Sequence, residues 1–592
     1  MYATRYYSTR EMKLLLDRGA HPNARSKEKF TAFNFAAADR AKAEVLIDCG
    51  FDFKQGGEEH SSALMIAARH PRGFEVVSLL LSRGADANQK GPGGATALQR
   101  SVKSGDLRTV KLLVEKGAIL DDPANKGLFF NSLLTGKDEI ARFLMEKGAD
   151  VNLSDGFAGH SLGAALVNGN TAFASELIER GADIHLARNV GDVPPIVYAA
   201  HNDQGDPALV KLLLKKGADL NARNDRDETA LTWARKRGET QLVHFLEEQG
   251  ATDTAPLRKR LTIPASEIHL TGENSKTLLR ESVSKALAIL EKGSEGFLDR
   301  QGRPDNCVSC HHQTLPGIVF GAAAKRDFDI NLLLMERQID TQKKYWRNGI
   351  KSAWEYEDPV GGAAANVSYG MLNLAANGYL PDEFTEAMSF FLAGVQLADG
   401  GWATFVGRPP AESTRLAASA FALRAIQSYP LKELKKETER REASAQDFFL
   451  KSQASSTEEH TFKLLGLFWS KASNDEIHRT AQRLLSTQRR DGGWSQIPTL
   501  ESDAYATAES LVAAVLTHQL TPADPRYIRG AEFLLRTQFP DGSWLVHSRT
   551  WPFQTHFSTG FPHGRDQWIS ASATAWAALA LMSGLNPDSR PA

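Results

Sequence analysis

Gly84-Ala85-Asp86-Ala87-Asn88 closes one helical unit and turns the chain into the next. A glycine there takes the left-handed conformation that ends a helix, and the Asp-x-Asn that follows is turn chemistry. The same closing, Gly-Ala or a near variant, returns at Gly19, Gly50, Gly117, Gly148, Gly181, Gly217 and Gly250, with spacings of 31 to 36 residues. Before each marker runs an apolar helix such as Leu209-Val210-Lys211-Leu212-Leu213-Leu214. Self-similarity at this period predicts a solenoid of stacked helical pairs.

Each unit opens on a first helix, started by Thr31-Ala32-Phe33, Thr96-Ala97-Leu98 or Thr229-Ala230-Leu231. The stretch resembles ankyrin repeats, following their Thr-Pro-Leu-His-x-Ala opening loosely and their Gly-Ala-Asp-x-Asn closing closely. The resemblance covers residues 1–253 and implies a surface that docks a protein partner. Gly127-Leu128-Phe129 and the longer seventh unit, with Asp203-Gln204-Gly205-Asp206, depart from the pattern and read as loop variation on one face. Met1-Tyr2-Ala3 corresponds to Met65-Ile66-Ala67 and Val197-Tyr198-Ala199, so the chain is expected to begin inside a repeat. It shows no secretory signal of its own, and the expectation is that one could lie upstream.

Residues 254–275 lose the period and carry Pro256, Arg258-Lys259-Arg260 and Pro264, which reads as a linker. A second repeat follows. Gln396-Leu397-Ala398-Asp399-Gly400-Gly401-Trp402 returns as Gln488 to Trp494 and Gln538 to Trp544, each after an amphipathic helix and before an Ala-rich one. The glycines permit a sharp corner, the glutamine can bond helix-terminal backbone, and the tryptophan packs between layers. With weaker units between them, these corners give six outer-then-inner helix pairs over residues 276–585, ahead of a tail at 586–592. This resembles the α/α toroid of the terpene cyclase and protein prenyltransferase superfamily. The expected fold class is therefore all-α, an ankyrin-repeat solenoid followed by an α/α toroid of six helical hairpins.

The chemistries that the toroid resemblance implies do not carry over residue by residue. There is no Asp-x-Asp-Asp acid, no cysteine after Cys310 for a prenyltransferase zinc, and no Gly-Cys-Gly-Glu-Gln thioester motif. Asp503, Tyr505, His563 and Asp566 remain as rim candidates for proton transfer to an isoprenoid. An apolar small molecule in the toroid cavity is the corresponding ligand expectation.

One motif stands outside both repeats, at Asn306-Cys307-Val308-Ser309-Cys310-His311-His312-Gln313. Cys-x-x-Cys-His is the pattern for covalent haem c, with Cys307 and Cys310 adding to the vinyl groups and His311 as proximal ligand. The same residues could bind zinc with His312 or a loop histidine, form a redox dithiol, or pack. The run is similar to that of bacterial toroid proteins carrying Cys-Val-Ser-Cys-His-His-Gln. A later loop gathers His547, Arg549, His556, His563, Arg565 and Asp566. One of its histidines could supply a second ligand, and Arg549 or Arg565 could clamp haem propionates.

The 592 residues carry 70 Lys and Arg against 71 Asp and Glu, a net charge of −1, so no field favours nucleic acid or an anionic membrane. Three cysteines, with Cys49 remote from the pair, give no disulfide framework. No membrane span is expected. Three readings follow: an exported bacterial haem protein in electron transfer or sensing, extracytoplasmic if haem is attached; a cyclase-superfamily enzyme or isoprenoid binder with rearranged acids; or a binding scaffold stabilised by zinc.

Overall fold

The structure, a computed structural model, describes the chain except residues 27–29, 58–59, 121, 123–124, 126, 153, 156–158, 168–169, 186–192, 254–267, 271–273, 300–309, 361–362, 405–407, 412–413, 432–433, 551–557 and 586–592. Among the described residues it is helical, with extended pairing limited to short contacts such as Ser154 with His160.

Eight helical pairs form the N-terminal array, from Tyr2–Tyr6 with Thr9–Asp17 to Ala230–Arg235 with Gln241–Glu248, among the described residues. All eight closing glycines have φ between 81° and 98°. There the chain reverses with the paired bonds of a helix stop: Gly84 N–H donates to Leu81 O at 3.1 Å and Ala85 N–H to Leu80 O at 3.0 Å. The asparagine of the closing turn binds forward. Asn88 Nδ2 donates to Gly117 O at 2.8 Å while its Oδ1 accepts from Ile119 N–H at 2.9 Å. Asn23 does the same to Gly50 and Asp52, both at 2.8 Å. One side chain thus staples each such unit to its successor.

The C-terminal domain is a closed ring. Its inner helices are Leu315–Ala324, Ala363–Ala376, Arg415–Ser428, Thr457–Trp469, Ala504–Leu516 and Gln567–Met582. Each packs on the next, and the sixth packs on the first. The outer helices are Asn274–Leu298, Leu332–Arg347, Glu383–Gly394, Lys435–Lys451, Asn474–Leu485 and Pro525–Thr537.

The three corners explain the closure. Trp402, Trp494 and Trp544 are fully buried, and each indole N–H donates to the carbonyl ten residues back, Leu392, Leu484 and Leu534, at 2.7 to 3.0 Å. Each glutamine amide reaches across to the next outer helix: Gln396 to Arg441 O at 3.0 Å, Gln488 to Arg526 O at 2.8 Å and Gln538 to Ser282 O at 2.9 Å. That last bond returns to the first outer helix. Gly400, Gly492 and Gly542 sit at φ 91° to 92°, where a Cβ would lie 1.9 to 2.4 Å from the carbonyl of Ser444, Arg529 or Lys285. Only glycine fits these corners.

The array lies against the ring. Arginines in or just after first helices meet ring carboxylates: Arg5 with Glu386 at 2.7 Å, Arg69 with Glu355 at 3.3 Å and Glu357 at 2.8 Å, Arg72 with Glu437 at 2.8 Å, and Arg100 with Glu357. Aromatic packing reinforces the charge pairs, with Phe35 edge-on to Trp354 and to Phe390 at 6.0 Å, and His70 edge-on to Tyr356 at 4.5 Å. This edge of the array is occupied by the chain's own ring.

Candidate functional site

A cavity of about 1420 Å³ lies between array and ring. Its array wall is made of inter-helix loops, among them 104–108, 135–140 and 201–206, and its ring wall of the segments leading into the third, fourth and fifth inner helices. The longer seventh unit explains part of this shape: its loop extends far enough to touch the ring.

Asp203 in that loop is the centre of a latch. It accepts from Arg549, on the long segment before the sixth inner helix, and from Arg237 Nε at 3.2 Å. Burial raises its carboxyl, but the two guanidinium groups outweigh that and hold it well below the usual carboxylate range. His201 Nε2 donates to Arg549 O at 2.9 Å, Arg237 Nη2 donates to the same carbonyl at 3.1 Å, and Arg549 Nε donates to Gln496 Oε1 at 2.7 Å. Burial, and then Arg237, pull His201 well below its ordinary value, so it is the neutral donor this bond requires. Arg549, expected as a propionate clamp, pairs with Asp203 across the two domains.

Two carboxylates inside the ring wall escape sequence reasoning. Glu458, in the first turn of the fourth inner helix, is 4% exposed, and Glu509, on the fifth, is 1% exposed; both line the cavity. Glu509 accepts from Tyr505 one turn earlier on its own helix, while its Oε2 has no hydrogen-bond partner. Burial, then the charge of Glu458, then that of Asp503, push the Glu509 carboxyl well above the usual range. Two carboxylates so placed cannot both ionise cheaply. A signal was present: Glu509 is the one charge in the Ala-rich run Ala504 to Leu516. Glu458 was hidden by its neighbour, because Ser456 and Glu459 form a capping box there.

The expected rim residues fall into two groups. Asp503 caps the fifth inner helix, its Oδ1 accepting from Ala506 N–H at 3.0 Å, and burial pushes it up to about 6 against the pull of that bond and of Gln496. With Tyr505 it belongs to the Glu509 cluster. His563 and Asp566 stand elsewhere: His563 Nε2 pairs with Ser543 Oγ at 2.8 Å, and Asp566 pairs with His547 at 2.8 Å. Arg565 is exposed.

Cys307 and His556 lie outside the described residues, as do the side chains of Cys310 and His311. Cys310–Thr314 form a π-helical turn entering the first inner helix. His312 is buried there, its ring 6.2 Å from both Phe297 and Phe561, and Phe561 in turn lies 6.5 Å from His563. Among the described residues no cluster of three or more His, Cys, Asp or Glu is arranged to hold a metal ion, and no helix is long and apolar enough to cross a membrane.

Below the mouth the bore is crossed by aromatic side chains. Tyr369 meets Phe421 at 4.5 Å, Phe421 meets Phe462 at 4.8 Å, and Phe462 meets Trp576 at 6.4 Å, all four being buried. The helices of Phe462 and Trp576 are not neighbours in the ring, so that contact spans the bore. The cavity at the mouth is charged and is distinct from the apolar toroid cavity that was expected to take a ligand.

A family model described as ankyrin repeats (3 copies) matches residues 1–91, 64–155 and 161–256. The chain is 29% identical over 236 residues to ZDHHC13 of Danio rerio, named as a palmitoyltransferase, covering 39% of this chain and 36% of that protein. It is 24% identical over 222 residues to the human SH3 and multiple ankyrin repeat domains protein 2, covering 37% of this chain and 12% of that one. The match therefore spans little more than a third of these curated relatives at most. Among solved structures, the ankyrin repeat domain of human ASB11 is 23% identical with a TM-score of 0.32, covering 37% of this chain and 98% of that one. The N-terminal array is thus a set of ankyrin repeats, a module for protein–protein interaction.

Proposed function

We propose that the protein binds a small polar ligand in the cavity between array and ring and handles protons on it through the Glu458–Glu509 pair, while the outward faces of the array dock a protein partner. The observation that carries this reading is Glu509, a buried residue of the cavity lining whose Oε2 has no hydrogen-bond partner. Leaving such an atom unsatisfied costs about 1–3 kcal/mol, which a fold tolerates where a ligand completes the site. A perturbed carboxyl pair in a large cleft is also the usual form of a proton-transfer centre. Tyr505 orients one oxygen of Glu509, and Asp503 adds a second raised carboxyl beside it.

Difference infrared spectra of wild type and Glu509→Gln, taken between pH 5 and pH 9, test this. The expected result is a carboxylic-acid C=O band in the wild type that persists at pH 7 and is missing in the variant. An ionised Glu509 at pH 7 would sink the reading.

A second reading, covalent haem c on Cys307 and Cys310, is favoured by one placement: the turn that carries the motif packs through Phe561 towards His563. A pyridine haemochrome spectrum with intact mass, on protein made with cytochrome c maturation machinery, decides it against Cys307→Ser and Cys310→Ser. A covalent haem mass lost in both variants supports it, and colourless, unmodified wild type rejects it.

A further inference from the structure

The cavity's charge says what kind of ligand it takes. Among the described residues, nine carboxylates and four basic side chains line it. Three of the basic groups are arginines already committed to carboxylates: Arg108 to Asp106 at 3.3 Å, Arg415 to Asp399 at 2.8 Å, and Arg549 to Asp203. The fourth, Lys137, donates to Lys103 O at 2.6 Å, and burial with the neighbouring Lys103 lowers it to about 8. Paired cations cancel only their own partners. The remaining carboxylates, contributed by both domains, leave a negative room whose walls are held together by neutralised pairs.

Acidity alone does not make a site, but Glu509 adds an independent observation. Glu509 is buried and belongs to the cavity lining, and its Oε2 lacks a donor. A donor that is also a cation would satisfy that atom and offset the repulsion from Glu458. A metal ion is poorly matched, since no cluster of three or more ligating side chains exists among the described residues. The volume exceeds the several hundred Å³ of an ordinary ligand pocket, so a single small ammonium would leave most of it to water.

We infer that this cavity is the binding site of an oligoamine, a flexible small molecule with more than one ammonium group, one of which is seated against Glu509 and Glu458. The inference rests on the proposed proton-handling role of that pair and names its ligand class. The charge and proton balance is simple: the ammonium keeps its charge, the Glu509 carboxyl loses its O–H proton to bulk solvent, and an N–H⁺ donor replaces it. Binding therefore releases a proton. The titratable groups that face Glu509 are Glu458 from the fourth inner helix and Asp503 and Tyr505 from its own. All three carboxyls are protonated at low pH, so affinity falls as pH drops through their range.

The test is calorimetry on the full chain with spermidine at pH 7.5, in two buffers of different ionisation enthalpy, with triethylene glycol as an uncharged chain of similar length. Expected are saturable binding of spermidine only, weakening as salt is raised, an affinity at least about tenfold lower in Glu509→Gln, and a released proton that the variant no longer shows. Glu458→Gln serves the same purpose should the first variant fail to fold by circular dichroism. No spermidine binding, equal binding of the glycol, or affinities unchanged in both variants would overturn the inference. If the infrared band of Glu509 is present in that case, the proton-handling centre stands and only the oligoamine falls; if the band is missing, both fall.

Discussion

Array and ring solve the same problem, joining like helical pairs, with a single polar side chain bridging several of the joints, yet they differ in how the joints end. In the array Asn23 and Asn88 each bond a unit to its successor, and the series is open. In the ring the glutamines do the same, and Gln538 returns to Ser282 on the first outer helix. An open stack spreads the loss of a joint only to nearest neighbours. A closed one has no end at which to fray, so each joint is shared by the whole domain. Four changes test that contrast.

The largest effect is expected from Trp494→Ala. The indole is fully buried, donates to Leu484 O at 3.0 Å and sits so close to the sixth outer helix that a Cβ on Gly530 would be 3.2 Å from it. Truncation should cost about 3–5 kcal/mol. Hydrogen exchange in rising denaturant should show all six inner helices losing protection together, with the array helices far from the interface little changed. Loss confined to the fifth and sixth pairs would show that the ring behaves as an open stack.

Next comes Arg549→Ala, which acts between the domains. It leaves Asp203 with Arg237 alone and opens the cavity wall, at a cost of about 3 kcal/mol for breaking a largely buried pair. The expected readout is faster exchange at 201–207 with the ring core unchanged. Asp203 is depressed in the folded protein, so its contribution is fully present above the unfolded value of about 3.9 and is lost as pH falls through the lower folded value. His201 is also depressed, and it removes stability as pH falls below about 6.5, where the unfolded chain takes up the proton first. In the variant the Asp203 part of this acid sensitivity should shrink. An acid profile identical to wild type would mean that the latch carries no load.

Both folds were legible because repeated glycines and corners state a backbone requirement that glycine meets most readily, as at Gly84 and Gly492. Sequence distance conceals contacts between such units. Arg549 reads as one basic residue in a histidine-rich loop, and nothing local says that its partner is Asp203, 346 positions earlier. The odd loop of the seventh unit was visible, but its purpose depends on where the ring sits. Of the buried cluster around Glu509, Asp503 and Tyr505 were named from the sequence, while Glu509 was missed because a carboxylate on an Ala-rich helix also reads as a solvated face.

Asn88→Ala should have the smallest effect, and Gln538→Ala is its counterpart in the ring. Asn88 makes one bond to Gly117 O and accepts one from Ile119 N–H at an exposed turn, where water replaces both, so the cost is about 1 kcal/mol. Exchange should quicken around 84–119 and nowhere else. Gln538 has a similar set, donating to Ser282 O at 2.9 Å and Gly542 O at 3.0 Å and accepting from Ser282 Oγ at 2.8 Å. These groups are partly buried, so the direct loss is somewhat larger, and it falls on the joint that makes the ring a ring. Exchange should then quicken in the first and sixth pairs alike, 282 and 538 being 256 positions apart in sequence. If Gln538→Ala disturbs only the sixth pair, closure is a matter of packing between inner helices, and the glutamine joint is as local as the asparagine one.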